Sequence, residues 1–103
     1  MNIKALADGL GLEEDEFLEL LALFNETGQA DMDRLQAALA DGDAQEVMRR
    51  AHTLKGASGN LGLTDISALS HVIEQHADKD QFAAAQRVFE DLKRLFATLL
   101  PHS

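Results

Sequence analysis

Residues 13–43 read EEDEFLELLALFNETGQADMDRLQAALADGD, and the fold turns on how the glycine at position 28 is read. A glycine inside a helix costs about 1 kcal/mol relative to alanine, so Gly28 invites a break into two short helices. The apolar phase argues against that break. Phe17, Leu21, Phe24, Gly28, Met32, Leu35 and Leu39 keep three-and-four spacing straight across the glycine, where a loop would reset the phase. The spacing therefore predicts one helix over 13–41, with Gly28 the place for any bend. Its first turn holds Glu13, Glu14, Asp15 and Glu16, carboxylates that suit the positive end of the helix dipole. At the far end, Gly42 suits the left-handed C-terminal position and Asp43 the cap of the next helix.

Upstream, residues 2–8 hold a short amphipathic helix with Ile3 and Leu6 one turn apart, followed by Gly9 and Gly11. Downstream, a helix over 43–61 places Val47, Ala51, Leu54, Ser58 and Leu61 on one face. Leu61-Gly62-Leu63-Thr64 interrupts it, with Thr64 a candidate cap for a helix over 64–77. Ile66, Leu69, Val72, Ile73 and Ala77 form the inward stripe of that helix. Asp78-Lys79-Asp80 makes a turn, with Asp80 a candidate cap for a last helix over 80–99. There Phe82, Ala85, Phe89, Leu92, Phe96 and Leu99 alternate threes and fours, and Pro101 closes the pattern. Short connections make successive helices antiparallel neighbours. The expectation is an all-α chain: an antiparallel four-helix bundle with a short additional N-terminal helix, one domain over 1–103.

Composition narrows the function classes. The formal charge is −9, from 18 acidic and 9 basic residues, a field that repels nucleic acid and anionic membrane surfaces. Without cysteine there is no disulfide framework and no zinc-thiolate site. No apolar run reaches the roughly 18–20 residues of a membrane span, and the N-terminus lacks the apolar core of a signal peptide. A cytoplasmic protein is the expectation. The apolar stripes can satisfy one another within one bundle, so a monomer is expected too.

The third helix carries an unusual stretch, AHTLKGASGNLG at residues 51–62. With the stripe turned inward, His52 falls about 140° away on the solvent side, with Gly56 near 180° and Gly59 near 120°. Glycines that face away from the core do not serve close helix packing. They clear the backbone for another molecule beside His52. Lys55 falls on the boundary, where its stem can pack while its ammonium reaches toward the imidazole. Met48, also near the boundary, reads either as a rim contact for a partner or as boundary packing. Residues 43–62 carry Arg49, Arg50 and Lys55 against Asp43 and Glu46, a net +1, which leaves −10 on the rest of the chain. A locally basic patch around a nucleophile suits a phosphoryl group, whose oxygens need charge compensation. Neutral imidazole can attack through nitrogen near neutral pH and hold the group covalently.

AHTLKGASGNLG resembles the signature of histidine-containing phosphotransfer (HPt) domains, through Ala51, His52, Leu54, Lys55, Gly56, Ser58, Leu61 and Gly62. The acidic-start helix, the Asp-Gly-Asp junction and the closing amphipathic helix follow the family's layout as well. The resemblance implies a four-helix bundle with His52 as exposed phosphoacceptor, taking a phosphoryl group from one receiver-domain aspartate and passing it to another. It implies that Lys55 assists the phosphoryl group and that Gly56 leaves room for it and for the docking receiver. Met48, Arg49, Gly56 and Gly59 are the expected docking surface. The expected partners are response-regulator receiver domains and a hybrid sensor histidine kinase. The resemblance implies Nε2 as the expected phosphorylated nitrogen, which the residues themselves do not show, and a magnesium ion that belongs to the receiver. No cofactor and no metal are expected, and the chain has no P-loop or kinase-like glycine motif, so it reads as a phosphocarrier and not an enzyme. It begins with Met and holds this one domain, which points to a stand-alone relay protein.

The remaining histidines carry less. His71 reads as solvated, His76 sits near a helix C-terminus where a cation is mildly favoured, and His102 lies in the tail. His71 and His76 are five apart, which does not put two metal ligands on one helical face. The acidic run at 13–16 reads as a solvated first turn. A metal-binding four-helix bundle needs Glu-x-x-His pairs, and the residues three before His52, His71 and His76 are Arg49, Ala68 and Ile73. The alternative reading is an HPt-like helical module that binds a receiver or another signalling regulator without carrying phosphate. Phosphate acceptance by His52 separates the two.

Overall fold

A computed structural model describes residues 2–99, so the expectations for Pro101 and His102 lie outside the described residues. Five helices follow one another: α1 (Ile3–Gly9), α2 (Glu14–Asp41), α3 (Ala44–Asn60), α4 (Thr64–Asp78) and α5 (Phe82–Phe96). Helices α2 to α5 form the antiparallel four-helix bundle, and α1 packs against α2. None of the described helices is long and apolar enough to cross a membrane.

Helix α2 runs unbroken through Gly28. Its 28 residues set the long dimension of the molecule, 41 Å, in line with a rise of about 1.5 Å per residue. Gly28 is a packing position. A Cβ built there would lie 2.7 Å from Phe96 Cζ, so the missing side chain makes room for a ring of α5. That ring also meets Phe24, with centroids 5.7 Å apart and planes tilted by 45°. The apolar phase persists across the glycine because position 28 belongs to the buried face.

The helix ends explain the connections. Glu16 Oε1 accepts the backbone N–H of Glu13 at 3.0 Å at the start of α2. Gly42 ends that helix with φ of 67°, a left-handed conformation that favours glycine. Asp43 then caps α3, its Oδ1 accepting the Glu46 N–H at 3.1 Å. A turn this tight folds α3 straight back along α2. Arg50 fastens the pair, donating to Glu46 at 2.7 Å and to Asp31 of α2 at 3.4 Å.

Two expected caps are not used as such. Thr64 is the first residue of α4, the capping position falls on Leu63, and no side chain caps that end. Asp80 takes a left-handed backbone with φ of 57°, Gln81 precedes α5, and the helix starts at Phe82. The inward face of α4 is Ile66, Ser70, Ile73 and Ala77; Leu69 and Val72 are only half-buried. Ser70 is tolerated in the core because its hydroxyl donates to the Ile66 carbonyl at 2.8 Å. Leu99 is buried although α5 ends at Phe96.

Candidate functional site

Helix α3 buries Val47, Ala51, Leu54 and Ser58, and this fixes which residues must face outward. His52 follows the buried Ala51 and is turned to solvent, its side chain 68% exposed. Ser58 keeps the buried face polar without cost, donating to the Leu54 carbonyl. Ser67 of α4 donates to the Lys55 carbonyl at 3.0 Å and ties α4 to the helix at the turn after His52.

The centre of the site comes from α4. Glu74 Oε2 lies 3.2 Å from His52 Nδ1, and Glu74 Oε1 accepts from Lys55 Nζ at 2.9 Å. His71 Nδ1 stands 3.6 Å from the same Oε1. One carboxylate, only 20% exposed, therefore faces two imidazoles and an ammonium. Burial by itself pushes the Glu74 carboxyl up, but the Lys55 hydrogen bond and charge, aided by His52 and His71, bring it out below the ordinary carboxylate value. Glu74 is thus an anion at neutral pH. It can accept hydrogen bonds and cannot donate them.

The expected residues divide between two sides of this centre. Met48 is half-buried, packed on the core, and also lines a shallow depression with Arg49, His52 and Glu74. Arg49 projects into solvent 3.5 Å from Glu46 Oε2. Around Gly56 a built Cβ meets nothing within 4 Å, leaving open space beside His52. Gly59 differs: its Cβ would lie 3.4 Å from Ser67 Oγ, so α4 occupies the side that the helical wheel left clear. Lys55 also differs, since its ammonium is held by Glu74 and not by the imidazole. Arg50 leaves the basic patch altogether, engaged with Glu46 and Asp31 on the α2 side.

Glu74 is the residue that sequence reasoning missed. A signal for it existed. His52 and Glu74 are equidistant in sequence from Leu63, and so are Gly59 and Ser67, which approach each other in the structure. An antiparallel register through the turn at Leu61–Leu63 puts both pairs face to face.

Comparisons with known proteins bear on the family and the fold. The family model of the Hpt domain matches residues 19–101. A similar solved structure is that of histidine-containing phosphotransfer protein B (HptB) from Pseudomonas aeruginosa PAO1, with 31% identity and a TM-score of 0.82. The match covers 93% of this chain and 84% of that one. No curated protein sequence is significantly similar to the chain.

Proposed function

Since the chain belongs to the Hpt domain family and serves histidine phosphotransfer in phosphorelay signalling, we propose that His52 is its phosphoacceptor and reacts through Nε2. Hpt domains are phosphocarriers that work with receiver domains and kinases. Here the donor is the aspartyl phosphate of one receiver domain and the acceptor is the aspartate of another.

The observation that carries the reading is the 3.2 Å contact from Glu74 Oε2 to Nδ1 of an exposed histidine. A carboxylate there selects the tautomer with its proton on Nδ1, which leaves the lone pair on Nε2. Nε2 attacks phosphorus, the N–P bond forms, and the P–O bond to the receiver's aspartate breaks. That aspartate leaves as a carboxylate. The ring gains a positive charge, which Glu74 compensates across the Nδ1–H. In the onward step a second receiver's carboxylate attacks phosphorus and the N–P bond breaks. The proton kept on Nδ1 lets neutral imidazole leave, where a deprotonated ring would have to leave as an anion.

Lys55 of α3 is held on the same carboxylate as His52, and in this reading it supports the phosphoryl oxygens. The open space over Gly56 admits the receiver, with Met48 and Arg49 at the rim. Gly59 keeps the helix backbone low next to that surface. The chain needs no ATP site or cofactor of its own, and the magnesium ion of the reaction stays with the receiver. A monomer in the cytoplasm, fed through a hybrid sensor histidine kinase, completes the reading.

Phosphoryl transfer from a panel of phosphorylated receiver domains tests it, read by intact mass and acid lability. Acid-labile label that disappears in His52→Gln is the expected result. Binding of receivers without any label contradicts it and favours the module that carries no phosphate.

A further inference from the structure

His71 has no part in the mechanism above, yet it stands 3.6 Å from the oxygen of Glu74 that Lys55 occupies. We infer that His71 is a positioning residue for the transfer: it takes over Glu74 Oε1 when Lys55 turns to the phosphoryl group on His52. The inference rests on His52 being the phosphoacceptor.

The geometry of the shared carboxylate leads to it. Oε2 serves His52 and Oε1 serves Lys55, so both oxygens are in use before any phosphoryl group arrives. Nε2 lies across the imidazole ring from Nδ1, so on this inference the ammonium leaves Glu74 Oε1 to reach oxygens bonded beyond Nε2. That movement strips Oε1 of its donor at the moment when Glu74 must hold the charged ring. His71 precedes Glu74 by three residues on α4, so a change of side-chain angles alone closes the gap. Its side chain is 50% exposed and free to swing, and an Nδ1–H can donate to the carboxylate oxygen.

Charge points the same way. A phosphoryl group brings up to about two negative charges beside Glu74. The ring and Lys55 supply one positive charge each, and with Lys55 turned to the phosphoryl oxygens Glu74 Oε1 needs a donor that His71 is placed to supply. The charged groups facing His71 are Lys55 from α3 and Glu74 from α4; Gly59, Thr64, Ser67 and Ala68 beside it are uncharged. Once the phosphoryl group has left, Lys55 returns to Oε1 and His71 releases it.

The test uses the full chain with His71→Ala, His71→Lys, Lys55→Ala and the double variant Lys55→Ala/His71→Ala. Two readouts are needed: the rate of transfer from a phosphorylated receiver, and the imidazole nitrogen spectrum of unphosphorylated His52. His71→Ala should slow transfer about two- to fivefold, the scale of one partly exposed ion pair, and His71→Lys should restore it. The His52 spectrum should be unchanged in His71→Ala, where Lys55 still holds Oε1. It should shift only in the double variant, where Oε1 of Glu74 has neither donor. Transfer by His71→Ala at the parent rate, or no restoration by His71→Lys, overturns the inference. A parent protein that takes no phosphoryl group on His52 overturns the reading beneath it, and that failure is visible before any variant is made.

Discussion

Glu74 of α4 holds His52 of α3 through a 3.2 Å contact, so the exposed imidazole is oriented by a helix other than its own. Replacing that carboxylate by an amide removes the preference for one tautomer, because an amide can donate as well as accept. Glu74→Gln should lower the transfer rate by about tenfold, the lower end of what losing an orienting partner costs a histidine. The fold should survive, with a far-ultraviolet dichroism spectrum like the parent's. Transfer at the parent rate would contradict the role given to Glu74.

The same carboxyl makes a prediction about acid. Its folded value lies below the ordinary 4.5: burial opposes the shift, and the Lys55 hydrogen bond and charge overcome it. A depressed carboxyl contributes stability that is fully present above its unfolded value and is lost as pH falls through the folded one. The parent should therefore be more stable than Glu74→Gln at neutral pH, by no more than about 1 kcal/mol, because the partners of Glu74 reach solvent. The difference should shrink below about pH 4.5. Denaturant midpoints of the two proteins across that range check it. A gap that stays constant into acid would contradict it.

Gly28 and Gly56 should respond oppositely to the same substitution. At Gly28 an added methyl would meet the buried Phe96 ring at 2.7 Å. Overpacking of that kind costs about 1–3 kcal/mol, which exceeds the roughly 1 kcal/mol that alanine gains in a helix. Gly28→Ala should lower the melting temperature, and an unchanged or raised value would show that the ring moves aside freely.

At Gly56 nothing stands within 4 Å of an added Cβ. Gly56→Leu should raise stability by up to about 1 kcal/mol while weakening the docking of receivers. Thermal melts and receiver titrations on one preparation check both halves. Loss of stability would mean that the glycine serves packing.

Much of this was legible in the sequence because apolar spacing and helix ends are local signals. The phase from Phe17 to Leu39 gave α2 its full length, and Asp41-Gly42-Asp43 marked its end. His52, Lys55 and Gly56 stood out by their places on one helix. What stayed hidden depends on a second helix. Glu74 and His71 acquire meaning only when α4 lies beside α3, and the contact of Gly59 with Ser67 has the same origin. Arg50 looked like part of a basic patch until the return of α3 along α2 gave it Asp31. The register through Leu63 was available as a guide, but it needs the loop geometry, which Gly62 sets with φ of 75°.

The proposed chemistry places the phosphoryl group on Nε2 of His52 and keeps the proton on Nδ1. Phosphorus–nitrogen coupling in the phosphorylated, nitrogen-labelled protein reads this directly. Coupling to Nε2 of His52, with Nδ1 still bearing its proton toward Glu74, is the predicted result. Coupling to Nδ1, or to a nitrogen of another histidine, would contradict the account.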